Sequence, residues 1–433
     1  MSDRMNRKEF IEGAVSAIVT FPSIGAIAGA GDVVSGKRLP TWALEQIAEG
    51  VARFRAWKGM DDVVSFPVMT DCHSKYYALS RHFLEETDTD AEVSFKTSAA
   101  EANLSFEGEP NWTDPKVHIL FMRHIAHEVG ADFMADLGDH DFEYFVFKKP
   151  MPMSVVEIGM RAYRKLYEGE ALPTLFARGN HDHSKGRITD EKYGETFNRS
   201  LNVGKNCALN LSTDGTFGCL DLEKKKFRVI FLNTSRGFKN GLFQEELQFL
   251  ADSLSSTPDG WQTILLEHIP VMTMQFWHRS MNQSLDPNMR VAYAMLDAYA
   301  NRRGDFVVGW NDIVAKQLGK TGMADKNVCP LCGGGSVRFC FKDVKSIFAG
   351  AIFGHEHVAD FIHYGNVPLV TRPGYGTILP DCIAGEMVDV KKGGPVPQGQ
   401  MLIDLIAFKP ARREAHVFRF GLGGARSDLE YRY

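Results

Sequence analysis

Basic residues do not outnumber acidic ones in this chain. Lys and Arg total 49 against 54 Asp and Glu, a net charge of −5. Sequence-independent binding to nucleic acid or to an anionic membrane rests on excess positive charge, so there is no strong nucleic-acid signal. Cysteine is sparse, seven in 433 residues, which excludes a small disulfide scaffold and leaves the compartment undecided. No apolar run suits a multi-span membrane protein. No internal repeat is visible. What remains is an ordinary globular balance, 44% hydrophobic and 24% charged, at a length that supports a large core. Length alone would allow about three domains of roughly 150 residues, but single α/β domains often run longer.

The N-terminus carries a distinct pattern. Arg4, Arg7 and Lys8 precede a small, apolar run over 13–30, and Ala26-Ile27-Ala28 and Ala28-Gly29-Ala30 each fit a small-x-small cleavage site. Arg7-Lys8-Glu9-Phe10-Ile11 loosely resembles a twin-arginine export motif, with Lys in the second position. The expectation is an export signal over 1–30, a mature chain starting near Gly29 or Gly31 without a membrane span, and a periplasmic or extracellular home. The alternative is an Ala-rich helix ended by Pro22 in a cytoplasmic protein.

Short apolar runs ending in Gly, Asp, Asn or His recur at 63–70, 131–137, 172–177, 227–232, 263–266 and 347–353. Their β-branched and aromatic content predicts buried strands. Helical spacing fills 115–129, 155–167 and 243–254, so strand and helix alternate and predict an α/β layered fold. After Val367 the helical spacing stops. The runs 367–371, 401–408 and 415–420 predict antiparallel strands completing a second sheet, with a Gly/Pro-rich loop over 391–400. The stretches 86–114 and 276–343 break the rhythm and read as insertions. The chain is therefore expected to be one domain over 31–433.

Metal-ligating residue types stand where the strands end: Asp71-Cys-His73, Gly138-Asp139, Gly179-Asn180-His181-Asp182, His268 and Gly354-His355-Glu-His357. Strand ends in an open α/β sheet converge on one crevice. Residues i and i+2 of an extended segment face the same side, so Asp71 with His73, and His355 with His357, can aim two groups at one cavity. Carboxylate, amide and imidazole together suit Zn, Mn or Fe better than a thiolate site would. Each element alone is commonplace; the five in order, each closing a strand, are specific.

That ordered set resembles the calcineurin-like metallophosphoesterase superfamily, with the likeness spanning about 63–365. The resemblance implies a four-layer αββα sandwich of two mixed β-sheets with two divalent transition-metal ions (Mn, Fe or Zn) at the strand ends. It implies that Asp71, His73 and His357 hold one ion, that Asn180, His268 and His355 hold the other, and that Asp139 bridges them. It also implies hydrolysis of a small phosphorylated substrate, with hydroxide between the ions attacking phosphorus. His181 would be the general acid to the leaving oxygen, a role suited to imidazole. Monoester and diester substrates are not separated by these motifs. The alternative is a non-catalytic binding protein of the same fold.

The chain departs from the family where many members place an acid three residues after the bridging Asp to orient the catalytic His. Phe142 stands there, and Asp141 or Glu143 are the local substitutes. Arg178 could reach a phosphate; a plain strand-end role is the simpler reading. His140 and His183 are expected to line the cleft. Cys329-x-x-Cys332, with Cys340 as a third ligand, fits half of a zinc site, a disulfide or free thiols.

Overall fold

The computed structural model describes residues 39, 41–72, 115–140, 145–146, 149–150, 153–167, 172–182, 187–199, 201, 207–236, 241–271, 287–304, 306–309, 336–357, 359–372 and 402–433. The proposed leader, the 86–114 stretch, the 391–400 loop, His73, Phe142, His183, Cys329 and Cys332 lie outside them.

Two mixed sheets form the centre. One has six strands in the order Leu429–Arg432, Glu414–Gly421, Leu402–Lys409, Val64–Met69, Met134–Asp136, Thr174–Phe176. Its last three strands run parallel and its first four pair antiparallel. The other has seven: Asp360–Tyr364, Val367–Thr371, Ile347–Phe353, Gln262–Glu267, Phe227–Phe231, Gly218–Leu222, Cys207–Leu211. Its four central strands are parallel.

Side-chain alternation builds the layers. Val64, Phe66 and Val68 from one sheet meet Ile264, Leu266 and Ile352 from the other in an apolar seam. Behind the six-stranded sheet lie the helices Thr41–Lys58, Pro115–Val129 and Met153–Lys165, which bury Ile47, Phe54, Met122, Ile125 and Met160. Behind the seven-stranded sheet lie Gln244–Ser255 and Pro287–Ala300, burying Leu247, Leu250, Met295 and Leu296. The result is a four-layer αββα sandwich. Because both faces of the central strands are covered, they read as near-continuous apolar runs.

Two expectations need correction. The strand Val367–Thr371 does not join the last strands in one sheet. It lies parallel beside Ile347–Phe353, whereas Leu402–Lys409 pairs with Val64–Met69. The stretch 276–343 is not wholly an insertion either. It contributes the helix Pro287–Ala300 and the strand Ser336–Phe339 to the core, because Met289, Val291, Val337 and Phe339 have an apolar sheet face to cover. Among the described residues no helix is long and apolar enough to cross a membrane.

A buried charge cluster ties the sheets together. Asp404 lies 2.7 Å from Arg372 Nη2, at the end of the seven-stranded sheet, and 2.5 Å from Arg419 Nε of its own sheet. Burial raises the Asp404 pKa, but the two guanidinium groups outweigh it and hold the carboxyl below its ordinary value. Asp404→Ala would leave two buried cations without this counter-charge. The expected cost is about 3–5 kcal/mol of unfolding free energy, read from urea denaturation.

Candidate metal centre

The parallel strands of both sheets end at the same side of the sandwich, and the polar residues predicted at those ends meet there, apart from His73, which lies outside the described residues. Gly354 N–H donates to the His268 carbonyl at 3.0 Å, and Asp71 N–H donates to the Gly138 carbonyl at 2.8 Å. His355 N–H donates across the sheets to Asp71 Oδ2 at 2.8 Å. These bonds stitch four loops into one floor. A methyl group on Gly354 would sit 1.9 Å from Thr70 Oγ1, and one on Gly179 would sit 2.1 Å from Asp139 N, so neither position has room for a side chain.

Asp139 stands at the middle. Its side chain is buried, with Oδ2 3.2 Å from His268 Nε2 and 4.0 Å from His181 Nε2. Two groups have their ligand atoms within 4.8 Å of one another: Asp139, His268 and His355, and Asp71, Asp139 and His357. They share Asp139. Asn180 Oδ1 lies 3.0 Å from His268 Nε2, beside the first group. His357 Nε2 lies 3.2 Å from Asp71 Oδ1 in the second. His181 is half exposed and its backbone N–H donates to Asp139 Oδ1 at 2.8 Å.

The donor set fits divalent cations. Asp71 Oδ1 is buried and faces the ring nitrogens of His357 at 3.2 Å and His268 at 4.0 Å, a set of donor atoms that could share a cation. The carboxylates claim the imidazoles: burial lowers the His268 pKa, but Asp139 and Asp71 overcome it and push it up to about 9. The same imidazoles, His357 foremost, outweigh burial and hold Asp71 below the usual carboxylate range. The backbone is strained here as well. Asp71 (φ 50°), Asp139 (φ 56°), His355 (φ 67°) and His357 (φ 55°) are all left-handed. Such conformations cost about 1–3 kcal/mol each for non-glycine residues and persist where the surroundings over-determine them.

Two residues belong to this centre that the sequence reading did not assign. Asp182 is fully buried and accepts backbone N–H bonds from Gly179, Asp139 and His140 at 2.8, 3.0 and 2.7 Å. His140 does not line a cleft. It is fully enclosed, between Asp136 and Asp182, and although burial disfavours its cation, those carboxylates push its pKa up to about 10. Nothing local marks it as buried, because the rings that enclose it, Tyr163, Tyr193 and Phe197, come from later helices. Arg178 is also buried, bonded to Asp190 and to the Ile188 carbonyl, which is the plain strand-end role. Cys207, Cys219 and Cys340 are free thiols.

Glu267 precedes His268, is fully buried and has no hydrogen-bond partner. Burial pushes its pKa well above the ordinary carboxylate value. The folded state therefore binds this proton more tightly than the unfolded chain. Stability from this group is complete below about pH 4.3 and is lost as pH rises through the folded pKa. Glu267→Gln removes that loss. Relative to wild type it should gain up to about 1.4 kcal/mol for each pH unit climbed between the two pKa values. Urea denaturation at several pH values with a chelator present checks this; a constant difference would contradict it.

No family model and no curated protein matches this chain. Solved structures do. A GAP50, the anchor in the inner membrane complex of Plasmodium, is 10% identical over 86% of this chain and 88% of its own, with a TM-score of 0.39. The purple acid phosphatase of yellow lupin seeds is 10% identical over 86% and 54%, with a TM-score of 0.43. A conserved protein of Streptococcus pneumoniae, described as a predicted phosphoesterase, is 8% identical over 86% and 99%, with a TM-score of 0.24. Likenesses this distant carry no argument about activity.

Proposed function

We propose that this chain is a metal-dependent phosphoesterase, with two ions held by Asp71, His73, Asp139, Asn180, His268, His355 and His357. One observation supports it above the rest: two ligand groups share a single buried carboxylate, Asp139, at converging strand ends. Ions bound there would supply Lewis acidity towards water and the phosphoryl oxygens.

The chain's own residues do the remainder. Asp139 is aimed by the His181 N–H on Oδ1 and by Asp182 on its backbone N–H. The His181 imidazole stands at the solvent side of Asp139, half exposed. An imidazole there can donate a proton to the oxygen that leaves phosphorus. Thr70 donates its hydroxyl to Asp71 Oδ2 and Gly354 packs against both, so this floor is fully buried. The substrate is a small phosphate ester, monoester or diester, chosen by segments outside this floor. A leader over 1–30 would carry the chain out of the cytoplasm, which N-terminal sequencing from the native host would test.

The deciding experiment is a hydrolysis screen of p-nitrophenyl phosphate, its bis-ester, nucleotides and cyclic nucleotides with Mn, Zn, Fe or Mg, beside metal analysis after loading and desalting. About two ions per chain and turnover of at least one ester are expected. Ions without turnover would favour a binding protein; no retained ion would end the proposal.

A further inference from the structure

We propose that His140 is a positioning residue that braces the two loops of the metal centre against each other; this rests on the metal-site reading above. Its ring spans two buried carboxylates. Nε2 lies 2.9 Å from Asp136 Oδ1, and Nδ1 lies 3.2 Å from Asp182 Oδ2. Asp136 ends the strand that leads to Asp139, and Asp182 closes the turn that carries Asn180 and His181. The ring is thus a strut between the two segments, and it belongs to neither ligand group.

Each end of the strut is anchored. Asp136 Oδ2 accepts from the hydroxyls of Tyr163 and Tyr167, both at 2.7 Å. Tyr163 OH in turn lies 3.4 Å from the sulfur of Cys72, the residue after Asp71. At the other end, Asp182 grips the backbone N–H groups of Gly179 and Asp139. The left-handed turn at Asp139 needs such over-determination to persist. A neutral buried histidine pairs one nitrogen as donor and the other as acceptor; this one meets a carboxylate at each. Without the ring, Asp136 and Asp182 would face each other with no donor between them, and the hold of Asp182 on Asp139 would loosen.

The test compares the chelator-stripped full chain with H140F, H140Q, D182N, the H140F/D182N pair and F197L. Phe197 stacks on the same ring, with centroids 5.5 Å apart. Mn²⁺ affinity is read by calorimetry, beside the melting temperature. Groups that orient metal ligands typically contribute about 10–100-fold in affinity. H140F and H140Q should each lose that much, with H140Q standing alone if H140F does not fold. The pair should lose little more than D182N, since residues acting through one network are not additive. F197L should melt lower and bind Mn²⁺ like wild type. Wild-type affinity in both His140 variants, or an F197L loss that tracks its melting temperature, overturns the proposal. A wild type that retains no Mn²⁺ removes the metal reading itself, and this proposal with it.

Discussion

Asp139→Ala should release both ions and with them the hydrolysis of every ester tested, by at least about 10³-fold, or roughly 4 kcal/mol of transition-state stabilisation. The breadth of the loss is the informative part. Among the described residues Asp139 is common to both ligand groups, standing with His268 and His355 in one and with Asp71 and His357 in the other. Removing it therefore cannot empty one side and spare the other. A variant at His357, by contrast, touches only the group built on Asp71. Metal analysis after desalting distinguishes the two: Asp139→Ala near zero ions per chain, His357→Ala near one. If Asp139→Ala kept both ions, the shared-carboxylate centre would be wrong.

His181→Ala should act by a different route. Its imidazole is half exposed and has a carboxylate neighbour 4.0 Å away. If it protonates the leaving oxygen, its removal matters most where that oxygen is a poor leaving group. General acid catalysis typically contributes about 10²–10⁴-fold. The expected result is a kcat loss in that range on an alkyl or nucleoside ester, a smaller loss on the p-nitrophenyl ester, and a metal content close to wild type. Equal losses on both esters, or loss of metal, would make His181 structural.

The sequence made the strand ends legible, and the reason lies in burial. Strands covered on both faces must be apolar throughout, so a polar residue after 63–70, 131–137 or 347–353 stands out. The same logic could not sort the strands into sheets. Val367–Thr371 and Leu402–Lys409 look alike as apolar runs, yet the first pairs with Ile347–Phe353 and the second with Val64–Met69. Helix Pro287–Ala300 was hidden because it sits between stretches without periodicity. His140 was misjudged for a related cause: its chemistry is set by Asp182 and by aromatic rings far along the chain, and one residue beside a ligand motif resembles any other. Asp141 and Glu143, the local substitutes for the acid missing at Phe142, lie outside the described residues.

The pairing of Val64–Met69 with Leu402–Lys409 also bears on how the molecule is made. The strand that presents Asp71 leaves the ribosome long before one of its two hydrogen-bonding neighbours is made. Until then that edge is open, long and apolar, the kind of surface that pairs with other chains. Such distant pairing slows folding, since the loop must close before its contacts stabilise anything. Refolding from denaturant should therefore be slow and concentration-sensitive. Nascent chains halted before Leu402 should be held by chaperones rather than fold, and the metal centre should form only once the last strands have docked.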